Sequence, residues 1–270
     1  MKGVEIFSLG DELLRGVVQD SNSYWMAKRL AARGAILSRI QVLPDAPPVV
    51  ADELRRALER KPVLVLTQGG LGPTDDDRTR EAIALATGRP LTQHAEAEAI
   101  VLRRYTELAS AGRVDSSELH EARLRMARLP EGARALDNHV GAAPGVLLEV
   151  SATTIVALPG VPPELHWIWE NTLAPELDRI LGPGGFAEIT VTLDLRDESS
   201  IAEMLRDLQS RHPEVYVKSR AKGFEDGEEV RVTLTAAGPD AATARRLVDA
   251  TFSELRARLD GTGIAILPAP

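Results

Sequence analysis

Apolar positions in the first two thirds of the chain switch repeatedly between short continuous runs and helical spacing. Val4 to Ser8 predicts a strand. From Asp20 to Asn22, good N-cap types, Tyr24, Ala27, Leu30 and Ala31 share one helical face until Gly34 stops it. Ile36 to Val42 predicts a second strand. After the breaker PDAPP, Val50, Leu54, Ala57 and Leu58 recur at helical spacing and feed the run Val63 to Leu66. That run reads as a central strand buried on both faces.

A helix through Glu81, Ile83 and Ala86 to Gly88 follows, then two helices over 92–111 and 115–128 and strands at 145–150 and 154–158. Pro162 and Pro163 open another helix, where a missing N–H is tolerated. Its Trp167 and Trp169 read as packing residues. The alternation predicts an α/β fold around a mostly parallel sheet. Pro175 and the GPGG at 182–185 mark a boundary. Beyond it the pattern gives a strand (189–195), a helix (200–211), a strand (215–218), an Asp226-Gly227 hairpin turn, a strand (230–235) and a helix (240–259). The expected organisation is a domain over residues 1–175 and a small α+β, βαββα module over 186–262, short for an independent core.

Composition narrows the partners. The 270 residues carry a net charge of −8, with 44% hydrophobic and 27% charged residues, so the chain is expected to fold and to avoid nucleic acid and anionic membranes. There is no cysteine, which removes disulfides and thiolate metal sites. The start lacks a signal-like apolar core, and a cytoplasmic location is expected. The five histidines show no metal spacing, and neither GxSxG nor GxxxxGK[ST] occurs. The small module has the shape of a KH domain without a GxxG loop, and Lys218, Arg220 and Lys222 face Glu225, Asp226, Glu228 and Glu229.

The strongest local signal is the segment from Gly69 to Thr79, GGLGPTDDDRT, between a buried strand and a helix start. Strand, glycine loop and helix form a phosphate cradle, because glycines let a ligand approach the backbone and free N–H groups supply positive potential. Three aspartates there would repel phosphate unless a cation intervenes, which implies Mg²⁺. The alternative is that they cap the next helix. Gly10-Asp11-Glu12, with Gly16, Asp20 and Asn22, follows the first strand and is expected on the same sheet edge. On an extended backbone Asp11 and Glu12 point to opposite sides. Asn138 to Gly145 and Leu158 to Glu164 are two further glycine- and proline-containing loops.

In this order the four segments closely resemble the competence/damage-inducible protein A (CinA) family, whose first domain shares the three-layer MoaB/MogA fold. Asp11, Glu12, Gly16, Asp20 and Asn22 match the first motif, and Gly69, Gly70, Gly72, Pro73, Thr74, Asp76, Asp77 and Thr79 the second. Asp75 falls at a variable position. Asn138, Gly141, Pro144 and Gly145 match the third, with Ala142 where the family has threonine; Pro159, Gly160, Pro162 and Glu164 match the fourth. The resemblance implies Mg²⁺-dependent hydrolysis of ADP-ribose or a similar dinucleoside pyrophosphate, with Mn²⁺ or K⁺ as alternative ions. Asp76, Asp77 and Asp11 would be catalytic, and Asp76, Asp77 and Glu12 would hold the metal. Gly69, Gly70, Gly72, Thr74, Thr79, Asn22, Asn138, Gly141, Gly160 and Glu164 would bind the ligand, with His139 in second rank. Molybdopterin binding or adenylylation is the alternative, and a non-catalytic nucleotide or pterin module a third. A homodimer without the family's C-terminal amidohydrolase domain is expected.

Overall fold

The computed structural model describes residues 3–221 and 229–268. They divide into two compact units: one built from the chain through Lys28 with Ile36–Gly182, the other from Arg29–Ala35 and the chain from Pro183 onward. The first contains β1 (Gly3–Leu9), α1 (Asp11–Leu14), α2 (Ser21–Ala32, as far as Lys28), β2 (Ile36–Leu43), α3 (Pro47–Arg60), β3 (Leu64–Gln68), α4 (Thr79–Thr87), β4 (Leu91–Gln93) and α5 (Ala95–Ser110). It continues with α6 (Glu121–Arg125), β5 (Arg128–Pro130), β6 (Arg134–Leu136), β7 (Gly145–Val150), β8 (Thr153–Leu158), α7 (Pro162–Ile168) and α8 (Ala174–Leu181), the last two joined by a π-helical turn.

Six strands form one sheet in the order β2-β1-β3-β8-β7-β6, and β4 pairs with β5 separately. β2, β1, β3 and β8 run parallel, with Phe7, Thr67 and Ala157 in register across the centre. Every residue of β3 is buried. Alternate residues point to opposite faces of a strand. Phe7, Val65 and Ile155 pack into one large core with Leu54 and Ile83, while Ile6, Leu64, Leu66 and Val156 are buried as well. Both faces are therefore covered, which gives the expected three layers.

The topology gathers four loops on one edge. β1, β3 and β8 are parallel, so the segments after Leu9, Gln68 and Leu158 emerge together. β7 is antiparallel to β8, with Val146 opposite Ala157, so the loop preceding β7 arrives at that edge too.

Three local expectations are corrected. The helix over 115–128 shortens to α6, because Arg123 donates to the carbonyls of Ser116 (2.7 Å) and Glu118 (2.8 Å) and holds that stretch out of a helix. Residues 128–130 pair with β4 instead, and Leu129, which precedes Pro130, is biased to extended backbone. Asp11 and Glu12 lie in the short helix α1 rather than on an extended backbone. In addition, α5 starts at Ala95 rather than 92, because the His94 side chain caps it by accepting from Ala97 N at 3.3 Å.

The second unit has β9 (Gly185–Asp194), a 3-10 turn, α9 (Ala202–Arg211), β10 (Val215–Ala221), β11 (Glu229–Gly238), α10 (Ala241–Leu259) and β12 (Ile266–Leu267). Its sheet is antiparallel in the order β10-β11-β9-β12, with Leu193, Val232 and Leu234 packed against Leu208, Val248 and Leu255. The order of elements along the chain reads βαββα with β12 added. The Asp226-Gly227 turn lies outside the described residues. Among the described residues no helix is long and apolar enough to cross a membrane.

Candidate functional site

The loop between β3 and α4 is fixed by its carbonyls. Thr79 Oγ1 donates to Gly69 O (2.7 Å) and Thr79 N to Gly70 O (3.1 Å). Arg80, in the first turn of α4, donates to Leu71 O (2.6 Å) and Gly72 O (3.1 Å). Four successive carbonyls are thus tied inward. Among the described residues the N–H groups of Gly70, Leu71 and Gly72 have no acceptor, so this loop keeps three main-chain donors open. Gly69 has φ 99°, and a Cβ there would sit 2.2 Å from Leu9 O, so glycine is required.

Arg80 is 4% exposed, and burial pushes its pKa down to about 10. Its fork binds carbonyls rather than a carboxylate. The Asp77 carboxylate is its nearby counter-charge and opposes the effect of burial.

The acidic run turns away from the helix. α4 has Arg78 at its N-cap with no side-chain cap bond. Asp77 Oδ2 instead accepts from Thr74 N at 2.9 Å, and Thr74 Oγ1 lies 2.5 Å from both Asp76 Oδ1 and Asp77 Oδ2. The Thr74 hydroxyl, with Asp76's own amide, holds the Asp76 carboxyl below the usual carboxylate range. Asp75 is exposed and pairs with Arg125 at 2.8 Å.

On the neighbouring part of the edge, Asp11 pairs with Arg15 at 3.3 Å, and its amide donates to Asp45 Oδ2 at 2.9 Å. Glu12 folds back over Gly10. Burial raises the pKa of Asp45, the Asp11 amide opposes this, and the charges of Glu12, Asp11 and Asp76 add to the rise. Sequence reasoning missed Asp45, although its place in the turn after β2 put it on this edge. Among the described residues no three acidic or histidine side chains converge as a metal-binding group.

Asn22 is buried and ties two motifs together: its Nδ2 donates to Gly160 O (2.8 Å) and Gln68 Oε1 (3.0 Å), while Oδ1 has no partner among the described residues. Asn138 is fully buried. Its Oδ1 accepts from Val140 N (3.0 Å) and Gly141 N (2.9 Å), and its Nδ2 donates to Ala143 O and Glu164 Oε2, each at 2.8 Å. Burial raises the Glu164 pKa, against the Asn138 hydrogen bond and the charge of Arg104. His139 stacks on Trp167 with ring centres 4.7 Å apart and lies 2.9 Å from Asp137.

These segments enclose a cleft of about 430 Å³ lined by Gly70, Gly72, Asp77, Gly160 and Glu164, with Tyr105 and Met126 from the α5–α6 side. Of the other residues expected in the site, Gly69, Thr79, Asn22, Asn138 and Gly141 make the hydrogen bonds and close contacts described above, outside the cleft lining. Thr74 and Asp76 stand on the exposed side of the loop, and Asp11 and Glu12 belong to the acidic edge rather than the cleft. Ala142 contributes only a methyl to the wall. Arg80 was missed because an arginine one residue into a helix reads as a surface residue; its place just after a glycine loop was the available signal.

Comparison with known proteins agrees with this architecture. The family described as "Probable molybdopterin binding domain" matches residues 5–179. A protein of Aeropyrum pernix is 39% identical over 245 residues, covering 90% of this chain and 88% of that protein. One of Pyrococcus horikoshii is 38% identical over 220 residues, covering 82% and 84%. The crystal structure of CinA, of unknown function, from Thermoplasma acidophilum matches with a TM-score of 0.59 and 30% identity, over 65% of this chain and 99% of that one. MoaB from Thermus thermophilus matches with a TM-score of 0.45 and 22% identity, over 67% and 98%. With its match over residues 5–179, the chain belongs to the probable molybdopterin binding domain family.

Proposed function

We propose that the cleft binds a small phosphorylated ligand of the molybdopterin class, with its phosphate on the amides of Gly70, Leu71 and Gly72. The observation that carries this reading is the polarity of the loop: four carbonyls are tied inward by Thr79 and Arg80, and three amides are left for an anion. The family match supports the pterin over other phosphorylated molecules. The kinship with CinA in particular is also proposed, on the four sequence segments and the 30% identity.

The residues divide the work. Arg80 holds the amides in place and adds its charge from beneath. Tyr105, Met126, Leu71 and Val161 give the cleft apolar wall for a ring. Asn22 ties the loop after β8 to the end of β3, and Asn138 ties the loop before β7 to Glu164.

A second reading is Mg²⁺-dependent cleavage of ADP-ribose or a similar pyrophosphate, favoured by the ionised Asp76 carboxylate beside the cradle. The donor set fits a site of two carboxylates, Asp76 and Asp77, whose shell is completed by phosphate oxygens and water, the usual arrangement for Mg²⁺. Bound there, the ion would neutralise phosphate charge and lower the pKa of an attacking water.

The experiment is calorimetric titration of the whole chain with inorganic pyrophosphate and with molybdopterin. Product analysis then follows on ADP-ribose, FAD, NAD, and ATP with molybdopterin, with Mg²⁺ and with EDTA. Binding without turnover supports the first reading, and EDTA-sensitive release of AMP supports the second. Absence of binding by pyrophosphate and molybdopterin alike overturns the cradle.

A further inference from the structure

The cleft wall carries two kinds of chemistry. Gly70 and Gly72 bring main-chain donors, which suit an anion. Glu164 brings a carboxylate, which repels one. Among the described residues lining the cleft no side chain is cationic, and the only other carboxyl, on Asp77, already accepts from Thr74. A phosphate beside Glu164 would meet like charge in a partly desolvated place, so the part of a ligand that reaches it must present N–H donors.

Glu164 is held ready for them. Its Oε2 accepts from Asn138, which is itself fixed by three other hydrogen bonds. Gly141 leaves room for the carboxyl: a Cβ there would lie 1.8 Å from Oε2. Oε1 has no partner among the described residues. Burial disfavours the ionised form, and ligand donors restore what water would have supplied.

We infer that Glu164 is the specificity-determining residue of this cleft, selecting a phosphorylated ring whose edge carries a ring N–H beside an amino group, the 2-amino-4-oxopyrimidine edge of a pterin or guanine. A carboxylate offers only acceptors, and this edge offers two adjacent donors. The corresponding edge of adenine turns a lone pair toward the carboxylate, and an edge lacking the 2-amino group offers one donor. Sites built around a buried polar group reject analogues that leave it unpaired. The inference rests on the cleft being the ligand site proposed above.

The test titrates the whole chain with GMP, IMP and AMP, and with inorganic pyrophosphate as a probe of the amide cradle alone. GMP is expected to bind on the order of tenfold to a hundredfold more tightly than IMP or AMP, the value of one hydrogen bond to a charged group. The ratio of GMP to IMP affinity is expected to collapse towards one in Glu164→Gln, whose folding is checked by its melting temperature. Equal affinity of the wild type for GMP and IMP, with pyrophosphate still bound, overturns the role of Glu164 and leaves the cradle standing. Full GMP preference in Glu164→Gln overturns it as well. Failure of the wild type to bind pyrophosphate or any nucleotide removes the ligand site itself, and the inference with it.

Discussion

Replacing Arg80 by methionine separates a ligand-directed charge from a structural plug. The side chain is 4% exposed, and burial pushes its pKa down from the ordinary guanidinium value to about 10. At 1.36 kcal/mol per unit that is about 3 kcal/mol of folding free energy lost to keeping the group charged while buried. Against it stand two hydrogen bonds from a charged donor to Leu71 O and Gly72 O, roughly 3–6 kcal/mol together. Arg80→Met removes the burial penalty and the hydrogen bonds at once, so the net loss of stability is at most about 3 kcal/mol, a shift of several degrees in Tm or less. Ligand binding should suffer far more, because the loop amides lose both their anchor and the charge behind them. Pyrophosphate affinity is expected to fall on the order of a hundredfold, about 2.7 kcal/mol. Arg80→Lys, which keeps the charge but not the fork, should fall between. The sign with pH follows from the lowered pKa. Below about 10 the group is charged and penalises folding; as pH rises through 10 the penalty is relieved and the anion loses its countercharge. Wild-type affinity should therefore decline above pH 10 in a way that Arg80→Met does not share. A large loss of Tm with pyrophosphate affinity within threefold of wild type would refute the reasoning and make Arg80 a structural plug.

The other predictions concern neighbouring residues. The Glu164 pKa is raised by burial, so its ionised form costs stability at neutral pH; Glu164→Gln should raise Tm at pH 7, with the gain vanishing below the ordinary value of 4.5, where the carboxyl is protonated folded or unfolded. Gly141→Ala displaces a flexible carboxylate end, so it should lose only about 1 kcal/mol in denaturant melts while collapsing the GMP to IMP ratio. Gly69→Ala drives a Cβ against Leu9 O at a positive φ and should cost several times more, read in the same melts. Asp77→Asn keeps an acceptor for Thr74 N and touches no helix cap, so Tm should stay near wild type; if the aspartate pair holds Mg²⁺, ADP-ribose turnover should fall about a hundredfold in kcat/KM.

Which features were legible in the sequence depends on how local their cause is. β3 was visible because burial on both faces leaves no polar period, and Gly69 and Gly70 because their positive φ demands glycine. The short strands β4, β5 and β6 have three residues each and no period of their own; pairing partners far along the chain create them. β7 and β8 were both legible as strands, but their antiparallel pairing through the tight turn at Ser151, with φ 55°, was not. That pairing brings Asn138 and Gly141 to the edge where β3 ends. Asp45 and Arg80 were invisible for a different reason: an aspartate in a proline turn and an arginine in a helix are ordinary surface residues until register turns them toward a site. The contradiction that the sequence posed, three aspartates inside an anion-binding loop, also has a physical resolution. Backbone and side chains of this loop face different partners. Thr79 and Arg80 take the carbonyls and leave the amides of Gly70, Leu71 and Gly72 without acceptors, while Thr74 gathers the carboxylates of Asp76 and Asp77 beside them. Asp77 still lines the cleft beside Gly70 and Gly72, so an anion received by these amides, as proposed, sits next to one carboxylate whose charge Arg80 offsets, and main-chain direction rather than residue charge supplies the donors.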